Sequence, residues 1–271
     1  ANRTRSYREL PLRLAEDGHC YRYEDSGALF GLMRVRSLCM NDAHIYCTKE
    51  QIESEVQHVL ELTRYYLNIF GFKEYWFRLS LWDPQNKAKF IDEPENWTIA
   101  ENALRVVLER LQLPFVEALG EAAFYGPKID VQFKNIHGRE ETVSTVQLDF
   151  AAKSRFNLKY DDPQGRQNTD VFVIHRAPLS THERFVAFLI ELYRGKFPLW
   201  LSPVQAKLTT IGEKQNPYAQ TLAKEMRKKG IRVEVDDRNE TINKKVRAAI
   251  IERVNYIVTI GEKEEETQTL A

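Results

Sequence analysis

Apolar and polar residues follow two different periods along the chain, and the two periods separate predicted strands from predicted helices. Apolar residues that alternate with polar ones, or that form a short continuous run, predict strands at 75–81, 129–133, 145–150 and 171–174. Apolar residues at helical spacing predict amphipathic helices at 50–70 and 100–111. We interpret both helices as core packing and assign them no chemistry.

The pattern changes after the sequence PLWLSP, residues 198–203. Beyond it, strands are predicted to alternate with helices; the strands are 206–211, 231–235 and 256–260, and the helices 218–229 and 243–254. Such alternation is typical of a small, mainly parallel α/β domain. We therefore predict one domain over residues 1–202 and a second over residues 203–271.

Charged residues cluster in the stretch CYRYEDSGALFGLMRVR. Arg22 and Glu24 are two positions apart, so on a strand they would share a face. Asp25-Ser26-Gly27 supplies turn chemistry, and a second extended run at 32–35 carries Arg34. Together with Asp42 and His44 in the continuation SLCMNDAHIYC, this pattern predicts a long hairpin that holds two arginines, two acids and a histidine over one cavity. Arginine binds phosphate in a bidentate manner; the alternative is an exposed strand face with solvated charges.

The amino-acid composition limits which partners and which compartment the protein can have. Lysine plus arginine and aspartate plus glutamate number 39 each, so any RNA site must be local. Three cysteines without paired spacing favour a reducing, cytoplasmic setting. No apolar run approaches the roughly 20 residues of a membrane helix.

The charged cluster belongs to a longer string that resembles a known family. It is similar to motif 2 of the class II aminoacyl-tRNA synthetases, and GLMRVR followed by NDAHIYC resembles the threonyl-tRNA synthetases more narrowly. VIHRAPLSTHERFVAFLIELYRGKFPLWLSPVQ resembles motif 3, and AFYGPK and TVQLDF match further segments. The last domain resembles the anticodon-binding domain shared by the threonyl, prolyl, histidyl and glycyl enzymes.

The resemblance implies an α+β fold, in which an antiparallel sheet flanked by helices precedes the small α/β domain. In the family, motif 1 builds a homodimer interface, and a cysteine that binds zinc follows it. Both are expected before Ala1, and one more strand and helix after Ala271. We therefore expect this chain to be a fragment or the ordered part of a longer chain.

The resemblance also implies a reaction and its residues. Threonine and ATP would give threonyl-adenylate, and the threonyl group would then pass to tRNA(Thr). Arg22 would bind the α-phosphate, with Arg34 and Arg184 on the γ-phosphate, which makes Arg22 and Arg184 the catalytic pair. The full ATP site would comprise Arg22, Glu24, Arg34, Leu38, Lys128, Gln147 and Arg184, with Mg²⁺ accompanying ATP. Threonine would contact Asp42, Tyr125, Gln147 and Thr181.

Two histidines match the family's zinc ligands. His44 and His175 would bind Zn²⁺ together with the upstream cysteine, since Cys20, Cys39 and Cys47 do not occupy its position. Zinc would distinguish threonine from the nearly isosteric valine, which an apolar pocket rejects poorly.

The resemblance also implies an anticodon site, formed by Asn239, Arg247 and Glu264. From the residues alone, Asn239 has an alternative role as a helix cap. Two positions depart from the family. Leu38 replaces a frequent phenylalanine under the adenine, and Met40 replaces a glutamine whose hydrogen bonds a thioether cannot make. The alternative function is a catalytically weakened or non-charging paralogue that acts as an RNA-binding or regulatory protein.

Overall fold

The computed structural model describes residues 3–269, which form two compact units: one ends at Phe188 and the next begins at Leu189. In chain order the strands up to that boundary are β1 Arg5–Ser6, β2 Leu12–Tyr21, β3 Ser37–Cys47, β4 Trp76–Leu81, β5 Phe115–Leu119, β6 Lys128–Lys134, β7 Glu140–Asp149, β8 Tyr160–Asp161, β9 Gln167–Asn168 and β10 Phe172–Ala177. The helices are α1 Ile52–Ile69, α2 Pro94–Arg110, α3 Ala152–Arg155 and α4 His182–Tyr193, which starts in the first unit.

The first unit is built on a seven-stranded sheet of order β2-β3-β10-β7-β6-β4-β5. Its strands pair antiparallel, except that β4 and β5 run parallel. A second sheet has the order β1-β8-β9. The predicted antiparallel sheet flanked by helices is thus confirmed.

The core of this unit lies where the apolar faces of α1 and α2 pack together and α1 packs on β7 and β10. Leu60 and Leu67 of α1 and Leu104 and Leu108 of α2 are fully buried. These leucines are the positions that the helical spacing marks as apolar, and burying each such side chain contributes about 1.5–3 kcal/mol. The same packing leaves the opposite face of the sheet open for polar side chains.

The hairpin of β2 and β3 is shorter than predicted. β2 ends at Tyr21, and the backbone N–H of Arg22 forms the next rung by donating to the carbonyl of Arg36 at 2.8 Å. The predicted strand at 32–35 is wrong, because the chain there folds back on itself around Gly31, whose φ is +47°. Arg22, Glu24 and Arg34 therefore lie on the connection between the strands rather than within them.

The second unit contains a three-stranded parallel sheet of order β12-β11-β13. Its elements are β11 Ala206–Thr210, α5 Asn216–Lys228, β12 Val233–Asp236, α6 Ile242–Ile251, β13 Tyr256–Ile260 and α7 Glu262–Thr267. Leu208 and Ile260 of the sheet and Ala219 and Ala223 of α5 are buried together. The predicted parallel α/β arrangement is confirmed, and α7 adds a helix that no pattern indicated.

Within residues 3–269, every helix is too short or too polar to cross a membrane.

Candidate active site

A cavity of about 300 Å³ lies in the first unit, where β3, β10 and β7 run side by side and α4 begins. Six residues predicted from the sequence line it: Arg22, Asp42, Gln147, His175, Thr181 and Arg184. Six further residues complete the lining: Met40, Ser144, Thr145, Arg176, Ala177 and Ser180. Segments that are far apart in the sequence therefore meet at one polar site.

Three arginines face this cavity without carboxylate partners. Within residues 3–269, neither Arg22, Arg176 nor Arg184 lies in an ion pair with an acidic side chain. The Arg22 Nη2 atom lies 3.8 Å from the Met40 Sδ atom, and the Arg184 Nε atom donates to the carbonyl of Met33 at 3.0 Å. Because these acceptors are neutral, no acidic side chain within residues 3–269 occupies the guanidinium groups, and the cavity suits an anion.

Arg184 is repelled by the positive charges of two neighbouring arginines. Burial lowers the pKa of Arg184, and the positive charges of Arg34 and Arg22 lower it further, against opposing contributions from Glu141 and Glu24. Arg34 itself is exposed and does not line the cavity. A bound polyanion would relieve this mutual repulsion.

The start of α4 is fixed to β3 by hydrogen bonds. The Thr181 hydroxyl accepts from the backbone N–H of Arg184 at 3.2 Å, which makes Thr181 the helix cap. The Glu183 carboxylate accepts from the backbone N–H of Cys39 at 3.2 Å. The Asn41 side chain accepts from the N–H of Leu179 at 3.0 Å. These contacts hold Thr181 and Arg184 over the cavity.

The two predicted zinc ligands lie side by side. His44 and His175 are direct partners in the pairing of β3 with β10, and their ring centroids are 4.6 Å apart at an interplanar angle of 81°. In residues 3–269, no three histidine, cysteine or acidic side chains are placed to hold a metal ion. Two imidazoles suit zinc but do not complete a site, so a third ligand would have to come from elsewhere.

Tyr125 and Gln147 join this polar cluster. The Tyr125 hydroxyl donates to the Gln147 Oε1 atom, and the tyrosine ring centroid is 5.9 Å from that of His175. Burial raises the pKa of Tyr125, and the nearby charges of Asp149 and Asp42 raise it further. Asp42 lines the cavity and forms no ion pair within residues 3–269, so its carboxylate is available to a cation.

Four residues predicted for ATP lie outside the cavity lining: the exposed Arg34, and Lys128, Leu38 and Glu24. Lys128 forms an ion pair with the buried Asp130, which also accepts from the Thr145 hydroxyl at 2.9 Å. Leu38 is only 4% exposed, so it serves as core in this structure rather than as an open platform. Glu24 accepts through its backbone carbonyl from Arg36 at 2.9 Å. Contacts of Lys128, Leu38 and Glu24 with ATP stay predictions.

In the second unit, the residues predicted to bind the anticodon differ in their surroundings. Asn239 and Arg247 are exposed. The alternative that Asn239 caps α6 is wrong, because Thr241 occupies the cap position. The Glu264 carboxylate accepts from the backbone N–H of Gly261 at 2.9 Å and thereby caps α7.

Sequence reasoning missed several residues of the site. Arg176 directly follows His175 at the end of a predicted strand. A basic residue next to a predicted metal ligand could have been recognised as a candidate site residue. Glu183 and Asn41 act through contacts to segments more than 100 residues away, for which the sequence carries no signal.

Comparison with known proteins identifies the class. Residues 1–193 match the model of the tRNA synthetase class II core domain (G, H, P, S and T), and residues 202–271 match that of the anticodon binding domain. The chain therefore belongs to the class II aminoacyl-tRNA synthetases.

Within this class, the similarity is to the threonyl enzymes, as the motifs predicted. The threonine–tRNA ligase of Clostridium perfringens is 44% identical over 98% of this chain and 41% of the relative. That of Oceanobacillus iheyensis is 46% identical over 99% of this chain and 42% of the relative. The chain thus spans about two fifths of the length of these relatives.

A solved structure shows the same similarity. The crystal structure described as the RNA binding domain of threonyl-tRNA synthetase from Cryptosporidium parvum Iowa II superimposes with a TM-score of 0.89 at 39% identity. The match covers 98% of this chain and 66% of that chain.

Proposed function

We propose that this protein is a threonine–tRNA ligase that activates threonine with ATP and then transfers the threonyl group to tRNA(Thr). The observation that carries the proposal is the cavity with three unpaired arginines and one unpaired carboxylate. Its charges match a substrate pair in which one member is a polyphosphate and the other carries an ammonium group. We infer that the amino acid is threonine from the relatives, which are threonine–tRNA ligases.

The arginines would act on the phosphates. Arg22 binds the α-phosphate, where the threonine carboxylate attacks phosphorus and pyrophosphate leaves. Arg184 binds the γ-phosphate, and Arg34 joins it from the connection between β2 and β3. Arg176 adds a further positive charge to the cavity. Catalysis of such an in-line displacement depends on positioning and charge stabilisation rather than on a protein nucleophile. Mg²⁺ would accompany ATP and offset part of its negative charge.

The opposite part of the cavity would hold threonine. Asp42 is suited to the substrate ammonium, and the hydrogen-bonded pair of Tyr125 and Gln147 can orient polar groups of the amino acid. His44 and His175 would hold Zn²⁺ with a third ligand from outside residues 3–269. Bound zinc would supply a Lewis acid that favours a substrate with a hydroxyl group, and so threonine over valine.

The second unit would bind the tRNA anticodon. Asn239 can hydrogen-bond base edges, and Arg247 can stack on a base or bind it; both side chains are exposed. Glu264 is predicted to make a further base contact. The proposal also includes the homodimer that the family forms. It includes a cytoplasmic location as well, because three free cysteines favour a reducing compartment.

The test is ATP–pyrophosphate exchange in the complete protein, with threonine, valine and serine compared at equal concentrations. We expect exchange that depends on threonine, followed by charging of tRNA(Thr) when tRNA is added. Exchange that threonine does not stimulate would contradict the proposal. Exchange without charging would favour the alternative of a paralogue that does not act on tRNA.

A further inference from the structure

Asp149 contacts His175 and has no part in the proposed reaction. It ends β7 and is only 8% exposed. Its Oδ1 atom accepts from the backbone N–H groups of Ala151 at 2.8 Å and Ala152 at 2.9 Å. Its Oδ2 atom lies 3.1 Å from the Nε2 atom of His175. Both carboxylate oxygens are therefore engaged, and one of them faces a predicted zinc ligand.

These contacts determine which nitrogen of His175 carries the proton. A carboxylate can only accept, so the short contact requires a hydrogen on the Nε2 atom. The two backbone donors at Oδ1 leave no place for a proton on that oxygen. A neutral imidazole protonated on Nε2 has its lone pair on Nδ1.

We propose that Asp149 is a positioning residue that holds His175 in the Nε2–H tautomer, so that Nδ1 becomes the atom available to a metal ion. A hydrogen bond from the outer nitrogen to a carboxylate is the usual way in which proteins orient a histidine ligand. His44 has no such hydrogen bond within residues 3–269. The pair is therefore asymmetric: His175 is fixed before a metal arrives, whereas His44 adjusts. The inference rests on the proposed function only in naming zinc as the ion.

The substitution Asp149→Asn separates this role from a structural one. Asparagine keeps an oxygen that can accept from the N–H groups of Ala151 and Ala152, so the turn into α3 is preserved. It replaces the oxygen facing His175 with an NH₂ group, which donates. His175 must then present a lone pair on Nε2 and carry its proton on Nδ1. The variant thus exchanges the tautomer without removing the packing.

The first measurement is ¹⁵N NMR of the histidine rings in the metal-free complete protein, with the His175 signals assigned from a His175→Gln variant. We expect the Nε2–H tautomer in the unsubstituted protein and the Nδ1–H tautomer in Asp149→Asn. Finding the Nδ1–H tautomer in the unsubstituted protein would overturn the proposal. This result needs neither zinc nor activity, so it stands or falls separately from the proposed function. If the variant fails to fold, the Nδ1–H tautomer in the unsubstituted protein would still overturn the proposal, and the comparison of zinc affinities is then made with Asp149→Glu.

The second measurement is the affinity for Zn²⁺, obtained by competition with a chelator and compared with the melting temperature. We expect Asp149→Asn to weaken zinc binding about 10–100-fold at an unchanged melting temperature. The matched control is Asp170→Asn, which removes a surface contact with Lys153 at 3.2 Å and should leave zinc affinity unchanged. Equal zinc affinities in the two variants would contradict a positioning role for Asp149.

Discussion

The predicted binding sites of the two units differ in how their basic side chains are paired. In the first unit, Arg22, Arg176 and Arg184 face one cavity with no acidic partner among residues 3–269. In the second unit, the basic residues around the predicted RNA site are mostly paired. Arg238 contacts Asp236 at 2.6 Å, and Lys244 contacts Glu240 at 2.8 Å. The first arrangement concentrates positive charge, whereas the second neutralises it locally.

This difference indicates where each unit can gain binding energy. An arginine that already has a carboxylate partner must exchange that partner for the ligand, so the net gain is small. An unpaired, half-buried arginine loses only water when a phosphate arrives, and its charge counts for more at low dielectric. Arg247 is exposed on α6 and is not among the ion-paired residues around it. We therefore expect large effects of substitution in the cavity and moderate ones on the second unit.

The largest expected effect is that of Arg184→Ala on ATP–pyrophosphate exchange. The substitution leaves phosphate charge without its partner in a partly desolvated cleft, and we expect kcat/KM to fall about 100–1000-fold. The control is Arg166→Ala, because Arg166 is exposed and pairs with Asp162 at the surface, at 3.2 Å. Exchange within about twofold of the unsubstituted enzyme would remove Arg184 from the mechanism and with it the contrast between the units.

A smaller effect is expected from Arg247→Ala in the second unit. Loss of one base contact should raise the KM for tRNA about tenfold, since stacking on a single base contributes about 1–3 kcal/mol. Exchange measured without tRNA separates this effect from damage to the cavity. The control is Lys244→Ala, in the same helix, whose partner is Glu240. If Lys244→Ala raises the KM as much as Arg247→Ala does, the paired charges are part of the RNA site and the comparison is wrong.

The long helices and most strands of the seven-stranded sheet and of the parallel sheet were predictable, because each buries one face and the period of apolar residues reports that face. The motifs also predicted that His44 and His175 face each other, and the two rings do lie side by side. The loop after β2 was harder, because Gly31 turns the backbone where the apolar residues suggested a strand. Asp149 was not identified, since its meaning depends on the pairing of β7 with β10, which no local pattern specifies.

The smallest expected effect concerns Met40, a position where the resemblance implies glutamine in many relatives. Its Sδ atom is a weak acceptor 3.8 Å from the Arg22 Nη2 atom, so Arg22 is only loosely oriented. In Met40→Gln, an amide oxygen would accept a stronger hydrogen bond from the guanidinium group and hold it ready for the α-phosphate. A net gain of about 0.5–1 kcal/mol for such a bond corresponds to an increase of about two- to fivefold in kcat/KM for exchange.

The matched variant Met40→Leu keeps the volume and removes the sulfur, and we expect it to be no better than methionine. If Met40→Gln and Met40→Leu are equally active, other contacts already orient Arg22. The positive charge of the cavity, rather than the direction of the Arg22 side chain, would then determine how strongly ATP is bound.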